Sequence, residues 1–138
     1  MDNILFLDDS EDRTNFFLKF FPEACCVKEA DECTNMLLKS WDVVYLDHDL
    51  GGKVLVSESE SNTGSEVVRW VKNNRPDVKL FIIHSMNFPA VDNMRKNLED
   101  CHYPVVVLPI VQMKTIFEDK DTFDLFLKNI EAKINLDK

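Results

Sequence analysis

The 138-residue sequence lacks any apolar run near the roughly 20 residues that a bilayer-spanning helix requires; stretches such as 105–108 with their flanks are far shorter. No membrane-spanning helix is expected. The opening Met1-Asp2-Asn3 also lacks the basic-then-apolar pattern of a secretory leader, and a cytoplasmic location is the expectation. Cys25, Cys26, Cys33 and Cys101 show no CxxC spacing, and a bridge between the neighbours Cys25 and Cys26 would be strained. Neither a zinc site nor a redox motif is indicated, and the cysteines read as reduced, mostly buried thiols. Positive charge is scarce: 16 Lys and Arg stand against 25 Asp and Glu, for a net charge of -9. That field repels phosphate backbones and anionic membranes, so extended nucleic-acid binding is not expected. A bound cation would reverse the field locally and leave room for one phosphate group.

What the chain does hold is a packed-domain composition, with 45% hydrophobic and 30% charged residues, and a length that suits a single domain over 1–138. Five apolar runs rich in β-branched and aromatic residues, at 4–7, 25–27, 43–46, 80–83 and 105–108, predict strands. Most are continuously apolar, as strands covered on both faces must be. Helical patterns alternate with them. Residues 14–21 carry Phe16, Phe17, Phe20 and Phe21 at helical spacing before Pro22, and 31–40 offers Cys33, Met36 and Leu37. Thr63-Gly64-Ser65-Glu66 matches a capping box ahead of Val67, Val68 and Val71. Pro89 suits the first turn of a helix running to about Glu99, and Phe123, Phe126, Leu127, Ile130 and Ile134 form the stripe of a last helix. The order βαβαβαβαβα predicts an α/β, flavodoxin-like, doubly wound five-stranded parallel sheet of order 2-1-3-4-5. One long segment, 51–62, has no apolar periodicity and is expected to be a mobile loop after the third strand.

In such sheets ligands sit at the carboxyl ends of the strands, near the switch in strand order. Polar residues gather there: Asp8-Asp9 after the first strand, Asp47-His48-Asp49 after the third, His84-Ser85 after the fourth. Carboxylates about 4 Å apart repel by about 4 kcal/mol per pair at an effective dielectric near 20. Either some are protonated or a hard cation lies among them, and Mg²⁺ or a similar divalent ion suits Asp8, Asp9, Asp47 and Asp49 as ligands. The competing reading is that these aspartates cap helices, as Asp9 or Ser10 would for the first. Strand alternation sets Asp47 and Asp49 on one side and His48 on the other, and turns His84 away from Ser85 unless the strand has already ended. Thr63 and Gly64, at a helix start, are candidates for holding an anion on free amides, with Lys53 in the nearby loop as a source of positive charge.

These residues resemble the response-regulator receiver domain: Asp8-Asp9, Asp47, Ser85 and, after the fifth strand, Pro109. The resemblance implies that Asp8 and Asp9 organise Mg²⁺, that Asp47 is metal ligand and phosphoacceptor, that the backbone carbonyl at Asp49 completes the metal shell, and that Ser85 contacts a phosphoryl oxygen. Receivers carry a lysine just before that proline; here the residue is Leu108. The strings Leu46-Asp47-His48-Asp49-Leu50-Gly51, Thr63-Gly64 and Ile83-His84-Ser85-Met86-Asn87, with Met94 later, are similar to a receiver offshoot, the cyclic-phosphate processing receiver domain. That narrower resemblance implies action on cyclic phosphate ends, with histidines added to the acid pocket.

Two functional readings follow. In one, the chain is a metal-dependent phosphoesterase for a nucleotide or RNA 2′,3′-cyclic phosphate, with water on Asp47, or Asp47 itself, attacking and His84 or His48 protonating the leaving oxygen. In the other it is a non-catalytic, stand-alone receiver that binds metal or a phosphoryl group and docks to a protein partner, in keeping with the absent lysine.

Overall fold

The computed structural model describes residues 3–52 and 55–135. The strands β1 (Ile4–Leu7), β2 (Cys25–Val27), β3 (Trp41–Leu46), β4 (Val78–Ile83) and β5 (Val105–Val107) form one parallel sheet of order β2-β1-β3-β4-β5. The helices are α1 (Glu11–Phe20), α2 (Ala30–Met36), α3 (Gly64–Asn74), α4 (Phe88–Asp100), α5 (Ile110–Glu118) and α6 (Lys120–Asn135). The flavodoxin-like fold read from the sequence is the fold observed. β3 and β4 each begin two residues earlier than their apolar runs suggest, because Trp41 pairs with Val78 across the sheet. α5 is an addition to the expected order. Its Met113 and Phe117 are buried at helical spacing, but the segment directly follows a strand and reads as an extension of it.

Alternation along the strands divides the core in two. Leu5, Leu7, Val44, Leu46, Phe81 and Ile83 face a layer shared with residues of α2, α3 and α4. Ile4, Phe6, Val43, Tyr45, Leu80 and Ile82 face the opposite layer, with Phe17 of α1, Met113 and Phe117 of α5, and Ile130 and Ile134 of α6. The phenylalanines of α1 supply much of that second layer: Phe17 stacks on Phe6 with ring centroids 4.1 Å apart, and Phe16, Phe20 and Phe21 all approach Phe117. Burying such rings stabilises the fold and sets α1 firmly across the end of β1. Leu108 is buried in the same layer.

α3 starts where Thr63 Oγ1 accepts from the Glu66 amide at 3.1 Å. The expected reciprocal half of the capping box is not formed, because the Glu66 carboxylate accepts from Arg69 instead. Gly64 serves a different end from phosphate approach. A Cβ at this position would lie 2.0 Å from the Asp47 carbonyl oxygen and 2.8 Å from Met94 Cε, so only glycine lets α3 close against the end of β3. Replacing Gly64 by Ala is therefore expected to cost about 2–4 kcal/mol through forced displacement of the Asp47 backbone, measured by urea unfolding. A variant as stable as the parent would show that this contact is slack.

Candidate functional site

The sheet register carries the strand parity beyond the last paired residues. Phe6 pairs with Tyr45, and Tyr45 with Ile82. Two residues further on, the same face of the sheet presents Asp8, Asp47 and His84. The ladder continues through Asp47 N–H to the Leu7 carbonyl at 3.1 Å and His84 N–H to the Leu46 carbonyl at 3.0 Å. These three side chains offer ligand atoms lying within 4.8 Å of one another, and all three are buried. Among the described residues, the groups close enough to share a metal ion are thus two aspartates and a histidine, with the side chains of Asp9 and Asp49 outside that cluster.

Asp8 is fully buried and has every acceptor direction engaged. Its Oδ1 accepts from the Ser10 amide and Arg13 Nη2, each at 2.8 Å, and its Oδ2 from Arg13 Nε at 2.8 Å. His84 Nε2 lies 3.0 Å from the same Oδ2. Burial pushes the Asp8 carboxyl up, but the bonds from His84 and Arg13 outweigh it and hold the group at about 2. Arg13 also reaches Asp47 Oδ2 at 3.4 Å and Asp9 Oδ1 at 3.6 Å. This guanidinium is the functional residue that sequence reading missed. Its signal was an Arg one helical turn after Asp9, on a helix whose N-cap Ser10 sits against the pocket.

Asp47 is deprived of comparable support. Burial, together with the neighbouring Asp8 charge, raises its carboxyl to about 6 despite the opposing influence of His84, the His48 amide and Arg13. Its Oδ1 accepts only from the His48 amide, at 2.9 Å. His84 stacks on Phe6 at a centroid distance of 4.8 Å, which fixes the imidazole plane. Its Nδ1 is buried without a partner, so the tautomer with the proton on Nε2 suits the contact with Asp8.

Both His84 and Ser85 line the cavity, because β4 ends at Ile83 and strict alternation no longer applies. Ser85 Oγ accepts from the Asn87 amide at 3.0 Å. His48, by contrast, is fully buried on the other side of β3, its Nδ1 beside Asp49 Oδ1 at 3.1 Å and Asn87 Nδ2 at 3.3 Å. It does not line the cavity. The Asp49 carboxylate accepts from the Leu55 and Val56 amides and from Asn87, and these bonds with that of His48 lower its pKa although burial opposes them. Asp49 thus organises the loop, and its side chain lies outside the metal-ligand cluster. Asp9 Oδ2 takes the Gly52 amide at 2.7 Å, an approach that uses the positive φ of Gly52.

The segment 51–62 is tied down at several described points. Asn87 Nδ2 donates to the Val56 carbonyl, Arg69 donates to the carbonyls of Glu58 and Glu60, and Asn62 Oδ1 accepts from the Ala30 amide. Thr63 and Gly64 are buried away from the cavity, and the Gly64 amide donates to the His48 carbonyl at 3.0 Å. The anion site expected there is not formed. Lys53 lies outside the described residues. The cavity itself is about 390 Å³, lined by polar side chains that include Asp9, Arg13, Asp47, Asp49, His84 and Ser85 and by the apolar side chains of Leu55, Met86 and Ile110.

The two buried aspartates act on stability with opposite signs. Asp8, lowered below 3.8, contributes stability that is full above that value and is lost as pH falls toward 2. Asp47, raised from 3.8 to about 6, keeps a proton in the fold that the unfolded chain releases, so stability falls as pH rises across that window. Urea unfolding from pH 4 to 7 is expected to show the parent losing stability relative to Asp47→Asn as pH rises. Parallel curves for the two proteins would contradict this.

A model of the cyclic-phosphate processing receiver domain matches residues 3–100, which include Asp8, Asp9, Arg13, Asp47, His84 and Ser85. Among solved structures, a response regulator from Colwellia psychrerythraea is 15% identical, with a TM-score of 0.54 over 78% of this chain and 82% of that one. The signal receiver domain of a modulated diguanylate cyclase from Desulfovibrio desulfuricans G20 is 13% identical, with a TM-score of 0.52 over 99% of this chain and 98% of the other. At such identities these neighbours bear on the fold alone. A search among curated proteins finds no match. Among the described residues no helix is long and apolar enough to cross a membrane. By its match over most of its length, the chain belongs to the cyclic-phosphate processing receiver domain family.

Proposed function

We propose that this chain hydrolyses a cyclic phosphate diester, with nucleotide or RNA 2′,3′-cyclic phosphates as the substrate class and a divalent cation as cofactor. The observation that carries this reading is the meeting of Arg13, Asp47, His84 and Ser85 on the wall of one cavity of about 390 Å³, a size that suits a small ligand. The family match supports the cyclic phosphate, and the receiver-like acid pocket supports the cation.

The donor set fits a divalent ion. Asp8, Asp47 and His84 would hold it, their ligand atoms lying within 4.8 Å of one another. When bound, the ion would draw charge from the phosphate and make a bound water more acidic. The guanidinium of Arg13 suits phosphate oxygens by its planar fork, and takes over a charge that Leu108 does not supply. Ser85 Oγ already accepts from Asn87, so its hydroxyl proton is available to a phosphoryl oxygen. Asp47 would accept a proton from the attacking water while the new P–O bond forms. That proton would pass from Asp47 to the ester oxygen as one ring P–O bond breaks, yielding a phosphomonoester and a free hydroxyl, while His84, its ring oriented by Asp8 and Phe6, stays in the ligand set.

A second reading, a receiver-like binding module without turnover, has one observation in its favour: Asp8 already has all its acceptor directions engaged by protein groups. The test is incubation with Mg²⁺ or Mn²⁺ and a panel of 2′,3′-cyclic nucleotides and RNA ends, with separation of the monoester products. Asp47→Asn and His84→Ala are each expected to slow hydrolysis by about 10²-fold or more. Absence of turnover across the panel would contradict the hydrolytic reading, and ligand binding without turnover would favour the binding module.

A further inference from the structure

The metal-ligand cluster and the Arg13 guanidinium use the same carboxylate oxygens. Asp8 Oδ1 and Oδ2 each accept from Arg13 at 2.8 Å, and Asp47 Oδ2 lies 3.4 Å from Arg13 Nη2. A carboxylate has about four acceptor positions, and those of Asp8 are filled by Ser10, two nitrogens of Arg13 and His84. An ion that bonds to Asp8 must displace one of these donors. The Ser10 amide is held at the N-cap of α1, where the Ser10 hydroxyl in turn accepts from the Arg13 amide. His84 is 1% exposed, stacked on Phe6, and itself in the ligand cluster. Arg13 alone of the three has an unbranched, rotatable side chain at the cavity wall, and that side chain is 34% exposed.

We propose that Arg13 is the resident counter-cation of the pocket and that a divalent metal ion binds Asp8 and Asp47 only in competition with it. The inference rests on the assignment of Asp8, Asp47 and His84 as metal ligands, and it concerns binding, not turnover. With Arg13 in place the carboxylates are neutralised in part and the metal is opposed twice, by occupied oxygens and by like charge. Removing the guanidinium removes both. Metal affinity is thereby set from α1, by a residue that is not itself a ligand.

The test is calorimetric titration of Mn²⁺ and Mg²⁺ into the full chain as parent, Arg13→Gln and Arg13→Lys, with thermal unfolding followed alongside. Arg13→Gln is expected to bind Mn²⁺ at least tenfold more tightly than the parent, and Arg13→Lys to fall between, because the ammonium keeps the charge without the bidentate fork. Equal or weaker binding by Arg13→Gln overturns the proposal, as does absence of binding by both proteins. Should Arg13→Gln not fold, the Arg13 Nε–H resonance of the parent gives the readout. A shift and faster solvent exchange at saturating Mg²⁺ are expected, and a resonance unmoved by bound Mg²⁺ overturns the proposal. None of these measurements reads hydrolysis, so failure of the hydrolytic reading and failure of this one are separable.

Discussion

The carboxylate of Asp8 has no access to solvent, and it stays ionised because Arg13, His84 and the Ser10 amide close around it. An unpaired charge in such a place costs several kcal/mol, so the surrounding geometry is not free to vary. The aromatic layer that packs Phe17 of α1 on Phe6 of β1 also brings Arg13 across the strand end. Phe6 in turn holds the His84 ring flat beneath it. Core packing and site electrostatics are one construction here, with β1 as the shared element. Asp47 sits at the edge of the same network and receives less of its charge, which is why burial prevails there and not at Asp8.

Much of this was legible in the sequence. Continuous apolar runs separated by helical stripes led to the parallel sheet, because strands buried on both faces have no polar side to display. The alignment of Asp8, Asp47 and His84 was also latent there: each follows by two residues a member of the row Phe6, Tyr45 and Ile82, all in one core layer. For His84 and Ser85 the exception allowed at a strand end is the one that holds, because the chain leaves the sheet after Ile83 and lets both neighbours face the cavity. Arg13 was hidden for a different reason. Its role depends on the distance between a helix face and a strand end, which the packing of α1 sets and no local pattern records. The same holds for Gly64, whose need for a missing Cβ appears only when α3 is seen against the Asp47 carbonyl.

The second histidine illustrates how similar residues diverge by position. His48 faces the layer opposite Asp47 and does not line the cavity, and with Asp49 and Asn87, which do, it forms a polar knot that fixes the start of the loop. Through that knot, and through Gly52 on Asp9, the loop brings Leu55 to the lining of the cavity. The resulting pocket is lined by charged and apolar side chains together. Where receivers place a lysine from β5, this chain buries Leu108 in the core and introduces its positive charge from α1.

The central claim is that Asp8 and Arg13 stabilise each other as a pair. A double-mutant cycle of Asp8→Asn and Arg13→Gln, followed by urea unfolding at neutral pH in metal-free buffer, measures that coupling directly. Each single variant leaves a charge without its partner, so a coupling energy above about 1 kcal/mol is expected, with the double variant more stable than the sum of the single losses implies. Strictly additive losses would mean that the guanidinium and the carboxylate contribute independently, and would contradict the pairing on which the pocket depends.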